Sequence, residues 1–126
     1  MDKIQKKVLI VEDDVQISKV YEIQLAKEGF LTVTAHNGDD AIKLLVEEKP
    51  DLAIFDLMIP KKDGFELLEE IKNEHPDIKI PIVVISNLGQ EDDKARAISL
   101  GATAYFVKTD HPIQEIMAKI KGYLKS

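Results

Sequence analysis

Four short apolar runs in this chain are each followed at once by side chains able to do chemistry. Glu12, Asp13 and Asp14 follow Val8 to Val11, and Asp56 follows Leu52 to Phe55. Ser86 and Asn87 follow Ile82 to Ile85, and Lys108 and Thr109 follow Ala104 to Val107. If these runs are parallel strands of one open sheet, their carboxyl ends share a rim, and ligands bind beyond such rims. Carboxylates gathered there repel one another, so a proton or a hard cation must relieve them. Magnesium suits the donor set, because it takes oxygen ligands, often one or two carboxylates with retained waters and a substrate phosphate. An ammonium beside such a cluster offers phosphoryl oxygens a compact positive charge.

Each of these residues also has an ordinary use. An acid after a strand commonly caps the next helix, which is the role expected of Asp14. Alone, Ser86 reads as a turn residue, Lys108 as a solvated charge and Tyr105 as a half-buried strand aromatic. Recurrence at equivalent strand ends is what favours a shared site over separate local roles.

The elements that must position these groups are legible. A fifth run, Leu31 to Ala35, alternates with threonine, whereas the other four are nearly unbroken apolar. Strands buried on both faces read as continuous apolar runs, so the alternating run is expected at a sheet edge. The intervening segments are long enough for helices. The last carries a stripe of Ile113, Ile116, Met117, Ile120 and Leu124. Helix starts are expected where Asn37 precedes Asp40 and Asp63 precedes Glu66, with Pro112 at a first helical position. Alternating strand and helix implies parallel strands, right-handed crossovers and helices on both sheet faces. The fold class is therefore α/β, a (βα)5 doubly wound three-layer sandwich, for which a strand order of 2-1-3-4-5 fits the edge strand. The fourth helix, around Glu91 to Leu100, has a thin apolar stripe through Ala95 and Ile98, consistent with a mobile element or a solvated face.

A length of 126 residues, 44% of them hydrophobic, suits one compact domain over 1–126 with a core from about 7 to 125 and no output domain. The net charge of −6 disfavours nucleic acid and acidic lipid as direct ligands, and the lysines are spread along the chain. Without cysteine there is no disulfide, thiolate metal site or thiol nucleophile, and His36, His75 and His111 lack zinc spacing. No apolar segment reaches membrane-span length and no leader pattern opens the chain, so a cytoplasmic location is expected.

In order along the chain, V-L-I-V-E-D-D, F-D-L-M-I-P-K-K-D-G, V-V-I-S-N and G-A-T-A-Y-F-V-K resemble the successive signatures of response-regulator receiver domains. Pro60 and Gly64 stand in their family places after Asp56, and the resemblance runs from Val8 to the final helix. It implies a flavodoxin-like fold and a stand-alone regulator that accepts a phosphoryl group on Asp56 from a sensor histidine kinase or a histidine phosphotransfer protein. Mg2+ is the implied cofactor, held by Asp13 and Asp56 directly, by the Met58 backbone carbonyl, and by Glu12 through water. Ser86 matches the switch hydroxyl, Tyr105 the switch aromatic and Lys108 the invariant lysine.

The implied output is a downstream protein docked on the fourth helix, fifth strand and fifth helix, from a monomer or a phosphorylation-dependent dimer. The alternative is an interaction module of the same fold that works without phosphate. A phosphatase of the aspartate type is disfavoured, since its acid/base aspartate would fall at Met58. Two positions depart from the family. Thr109 replaces the usual proline after the lysine, and a cis peptide without proline costs about 3 kcal/mol, so a trans Lys108–Thr109 bond is expected. Asn87 replaces a smaller residue and is expected to narrow access and slow the use of small phosphodonors.

Overall fold

The structure, a computed structural model, describes residues 5–87, 91–109 and 111–124. The expected core boundary at 125 and both chain tails lie outside the described residues.

Successive strand side chains point to opposite faces, so an unbroken apolar run must feed two cores. In β1 (Lys7–Val11), Val8 and Ile10 enter one core while Leu9 and Val11 enter the other. The same division runs through β3 (Leu52–Phe55), where Leu52 and Ile54 oppose Ala53 and Phe55. It continues in β4 (Ile82–Ser86) and β5 (Ala104–Val107), and β2 (Leu31–Ala35) completes the sheet. All pairings are parallel and the order is β2-β1-β3-β4-β5, as the run pattern led us to expect. The alternating strand β2 is indeed at an edge, with Leu31 45% exposed.

Helices α1 (Val15–Lys27) and α5 (Ile113–Leu124) cover one face, contributing Tyr21, Leu25, Ile116, Met117, Ile120 and Leu124 to its core. The other face is covered by α2 (Gly38–Glu48), α3 (Gly64–Glu74) and α4 (Glu91–Ser99). Caps fix where these helices begin. Asp14 accepts from the N–H groups of Gln16 and Ile17 at 2.9 and 3.2 Å, and Asn37 accepts from Asp40 at 2.9 Å. Asp63 and Glu66 form a reciprocal capping box at the start of α3. Pro112 lies one residue outside α5, its carbonyl accepting from Glu115 at 3.0 Å, so its fixed φ serves the cap and not the first turn.

At two glycines the neighbouring backbone comes too close for a side chain. A Cβ on Gly64 would lie 2.7 Å from Leu57 Cα, and one on Gly38 would lie 2.5 Å from the Lys62 carbonyl oxygen. Both contacts press on the segment 57–63, between β3 and α3, and so hold the chain leaving Asp56.

Candidate functional site

Each site residue is placed by backbone bonds that carry the sheet ladder past the strand ends. Glu12 N–H donates to the Ala35 carbonyl at 3.0 Å, and Asp56 N–H donates to the Val11 carbonyl at 2.9 Å. Lys108 N–H donates to the Ser86 carbonyl at 2.8 Å. Ser86 is the last residue of β4 and pairs with Val107, one position further into the sheet than the apolar run alone suggests. The rim therefore continues the ladder instead of dissolving into loop, and the side chains on it inherit the order of the sheet.

Glu12, Asp13 and Asp56 each bring a carboxylate oxygen within 4.8 Å of the others. At that separation two carboxylates repel by roughly 3 kcal/mol for an effective dielectric of about 20. One ammonium answers them: Lys108 Nζ donates to Asp56 Oδ2 at 2.9 Å and to Glu12 Oε1 at 3.1 Å. The remaining oxygens are tied to backbone. Met58 N–H donates to Asp56 Oδ1 at 3.0 Å, and Asp14 N–H to Glu12 Oε2 at 3.2 Å.

Burial differs within the cluster, and that sets its electrostatics. Glu12 is 2% exposed and Asp56 8%, while Asp13 is open to solvent and Met58 is 63% exposed. Burial, and next the negative charge of Asp56, push the Glu12 carboxyl up to about 7 against the pull of the Asp14 N–H and Lys108. Burial alone would lower the Lys108 ammonium, but its bonds and charge pairing with Asp56 and Glu12 outweigh this and leave it raised. Three carboxylates against one ammonium make a site short of positive charge. Hard oxygen donors on three residues, one of them facing solvent, fit a divalent cation of the magnesium type.

The structure brings together Glu12, Asp13, Asp56 and Lys108, with Met58 held to Asp56 through its N–H. Ser86 is fully buried, and its hydroxyl acts on the Tyr105 phenol, whose residue is only 7% exposed. Burial, first among the causes, raises the Tyr105 hydroxyl above its ordinary value. Asn87 and Thr109 are exposed at the rim, and the Lys108–Thr109 peptide is trans as expected. Lys108 reaches both acids without a cis bond.

One participant escaped the sequence reading. His36 Nδ1 lies 2.8 Å from the Glu12 carbonyl oxygen, so the Nδ1–H tautomer donates to the acid loop. Its signal was the register itself: with Val11 opposite Ala35, the next residues, Glu12 and His36, must also face each other. A cleft of about 560 Å3 lies at the other end of the sheet among Leu45, Lys49, Pro50, His75 and Ile80, and contains none of the site residues.

Comparison with known proteins agrees with this geometry. The family described as the response regulator receiver domain matches residues 8–121. A "Probable transcriptional regulator ycf27" from Guillardia theta is 38% identical over 121 residues, which is 96% of this chain and 46% of its own length. The chain thus spans about half the length of that curated relative. Among solved structures, the BeF3-activated N-terminal receiver domain of Klebsiella pneumoniae RstA superposes with a TM-score of 0.86 at 29% identity, covering 96% of this chain and 100% of that one. The Mn(2+)-bound form of the response regulator Rcp1 superposes with a TM-score of 0.77 at 31% identity, covering 93% of this chain and 90% of that one.

Proposed function

The chain belongs to the response regulator receiver domain family, and from that premise we propose that it accepts a phosphoryl group on Asp56 in a divalent-cation-dependent reaction and thereby switches a partner-binding surface. The observation that carries this reading is the ammonium of Lys108 bridging Asp56 and Glu12 inside a cluster of three carboxylates. A structural ion pair would need one acid. Three acids, with Asp13 turned to solvent, cost stability unless a cation offsets their charge.

The RstA receiver domain is described in a BeF3-activated form and Rcp1 in a Mn(2+)-bound form, and both ligand chemistries suit this rim. Magnesium would be held by Asp13, Asp56 and the Met58 carbonyl, with Glu12 acting through water. When bound it supplies the positive charge that the carboxylates and the phosphoryl oxygens jointly require. The donor is a phosphohistidine on a sensor kinase or phosphotransfer protein. A carboxylate oxygen of Asp56 attacks phosphorus in line; a P–O bond forms as the P–N bond breaks, and the departing imidazole takes up a proton. Lys108 has three donors, two of them on Asp56 and Glu12, and the third can meet a phosphoryl oxygen.

The switch uses Ser86 and Tyr105. A phosphoryl group on Asp56 offers new acceptor oxygens to the Ser86 hydroxyl. The Ser86 hydroxyl acts on the Tyr105 phenol, so a change at one is felt by the other. Tyr105 lies in the same core as Ala97 of α4, so the affected surface begins with α4 and β5, and α5 adjoins it by packing on Phe106 of β5. The test is phosphotransfer with Mg2+ followed by intact-mass measurement of the parent and Asp56→Asn. A single phosphoryl adduct, lost in the variant and in chelator, is expected. An adduct that persists in Asp56→Asn, or a parent that never gains one, removes the reading and favours an interaction module that works without phosphate.

A further inference from the structure

We propose that the turn from β2 into α2, residues His36 to Gly38, is a positioning brace for the phosphoryl site, in which His36 fixes the loop that carries Glu12 and Asp13. The inference rests on the function proposed above and adds a positioning residue to it.

The turn supplies no carboxylate to the cluster, yet it touches both of the segments that do. Towards β1, His36 Nδ1–H donates to the Glu12 carbonyl at 2.8 Å, and Glu12 N–H donates back to the Ala35 carbonyl at 3.0 Å. Both sides of the Glu12 backbone are thereby fastened to the end of β2. Towards β3, Gly38 N–H donates to the Pro60 carbonyl at 3.3 Å. There a Cβ on Gly38 would lie 2.4 Å from Lys62 Cβ, so the turn is wedged against the segment that follows Asp56. One short connection thus sets the spacing between the acid pair on one side and the Asp56 segment on the other.

The need for a brace follows from charge. Carboxylates within 4.8 Å of one another push apart, and the lowest-energy response of an unrestrained loop is to swing its acids outward. Asp13 is the exposed member and the one with most freedom to leave. Its neighbours are both pinned: Asp14 by capping α1, and Glu12 by His36 and Ala35. A cation site gains affinity when its donors are held before the cation arrives, and residues that orient ligands typically change metal affinity by about 10- to 100-fold. His36 lies outside the cluster and its imidazole is exposed, so its removal leaves no cavity in either core.

The experiment uses the full chain as parent, His36→Ala and His36→Asn. Mg2+ affinity is measured by calorimetric titration, amide exchange at Asp13 and Asp14 in metal-free protein, and thermal midpoint alongside. The asparagine amide can place a donor near the position of Nδ1. We expect His36→Ala to weaken Mg2+ binding about tenfold and to speed exchange at Asp13, with a midpoint within a few degrees of the parent. His36→Asn should recover both to within about twofold, since it restores the donor. The brace is overturned if His36→Ala binds Mg2+ as the parent does, or if alanine and asparagine weaken it equally and in step with lost stability. A parent that binds Mg2+ but takes no phosphoryl group from a histidine donor sinks the functional reading while leaving the brace measurable by its effect on the cation.

Discussion

Helix α3 buries Phe65, Leu67, Leu68 and Ile71 against the sheet, whereas its neighbour α4 buries Ala97 alone among its described residues. The two helices cover the same face and touch each other, but they are attached in different ways. At its start α3 has a capping box, and Gly64 N–H donates to the Leu57 carbonyl at 2.9 Å in a contact too close for any Cβ. For α4 the ties to α3 are peripheral: the Arg96 guanidinium over the Phe65 ring at 4.2 Å, and Lys72 Nζ on the Ser99 carbonyl at 3.3 Å. The difference teaches where this fold keeps its rigidity. The segment between β3 and α3, which carries the chain away from Asp56, is packed tightly. The switch proposed above needs the helix over Tyr105 to shift, and few buried contacts oppose that.

The largest expected effect separates the two helices directly. Leu68 is 1% exposed in the core, and Leu68→Ala should cost about 3 kcal/mol through lost burial and the cavity left behind. Ile98 on α4 is 42% exposed, and Ile98→Ala should cost no more than about 0.5 kcal/mol. Urea unfolding of both variants with a shared slope measures the gap. Equal losses would mean that α4 is anchored as firmly as α3, and the division into a rigid and a yielding half would fall.

A smaller effect asks whether charge contributes to the rigidity of the Asp56 half. If the carboxylate cluster held the loops together, neutralising one member would loosen them. On the present geometry the opposite holds, because Asp13 adds a negative charge to a group already short of positive charge. Asp13→Asn should stabilise the metal-free protein by about 1 kcal/mol and abolish the gain in stability that Mg2+ gives the parent. Thermal unfolding with and without Mg2+ reads both. A destabilised metal-free variant would show that Asp13 is structural and that packing alone does not secure this half.

Much of this contrast was visible in the residues themselves. The apolar runs located every strand, and the threonine alternation in Leu31 to Ala35 placed β2 at the edge because a strand with one partner needs only half its surface buried. The sparse apolar content of α4 anticipated its weak attachment, although the residues named for its stripe, Ala95 and Ile98, are exposed and Ala97 is the one that packs; Asp14, Asn37 and Asp63 gave the helix starts. What could not be read was how unlike Glu12 and Asp13 would become. The two look alike in sequence, yet the first is buried and the second opens to solvent. Ser86 hid its place in β4 because a hydroxyl ends an apolar run by type while its backbone continues the ladder. His36 was missed because its partner is 24 residues away and only the β1–β2 register joins them.

The smallest effect tests the tie between the two helices. Arg96 lies in the last turn of α4, with its side chain over the ring of Phe65 from α3. An exposed cation–π contact contributes about 0.5 to 1 kcal/mol. Arg96→Gln keeps a straight side chain of good helix propensity and removes the charge, so the change isolates that contact together with a small loss at the helix dipole. We expect about 0.5 kcal/mol of global stability to be lost, near the limit of urea titration. The sharper readout is amide exchange, because a tether of this size matters most where little else holds. In α3 the buried side chains set the opening free energy, and its amides should slow or quicken only with global stability. In α4 the tether is a larger share of what must be broken, so exchange there should quicken severalfold beyond the global change. Uniform acceleration across both helices would show that Arg96 stabilises the face as a whole, and that the yielding behaviour of α4 has to come from its end at Glu91 to Asp93 instead.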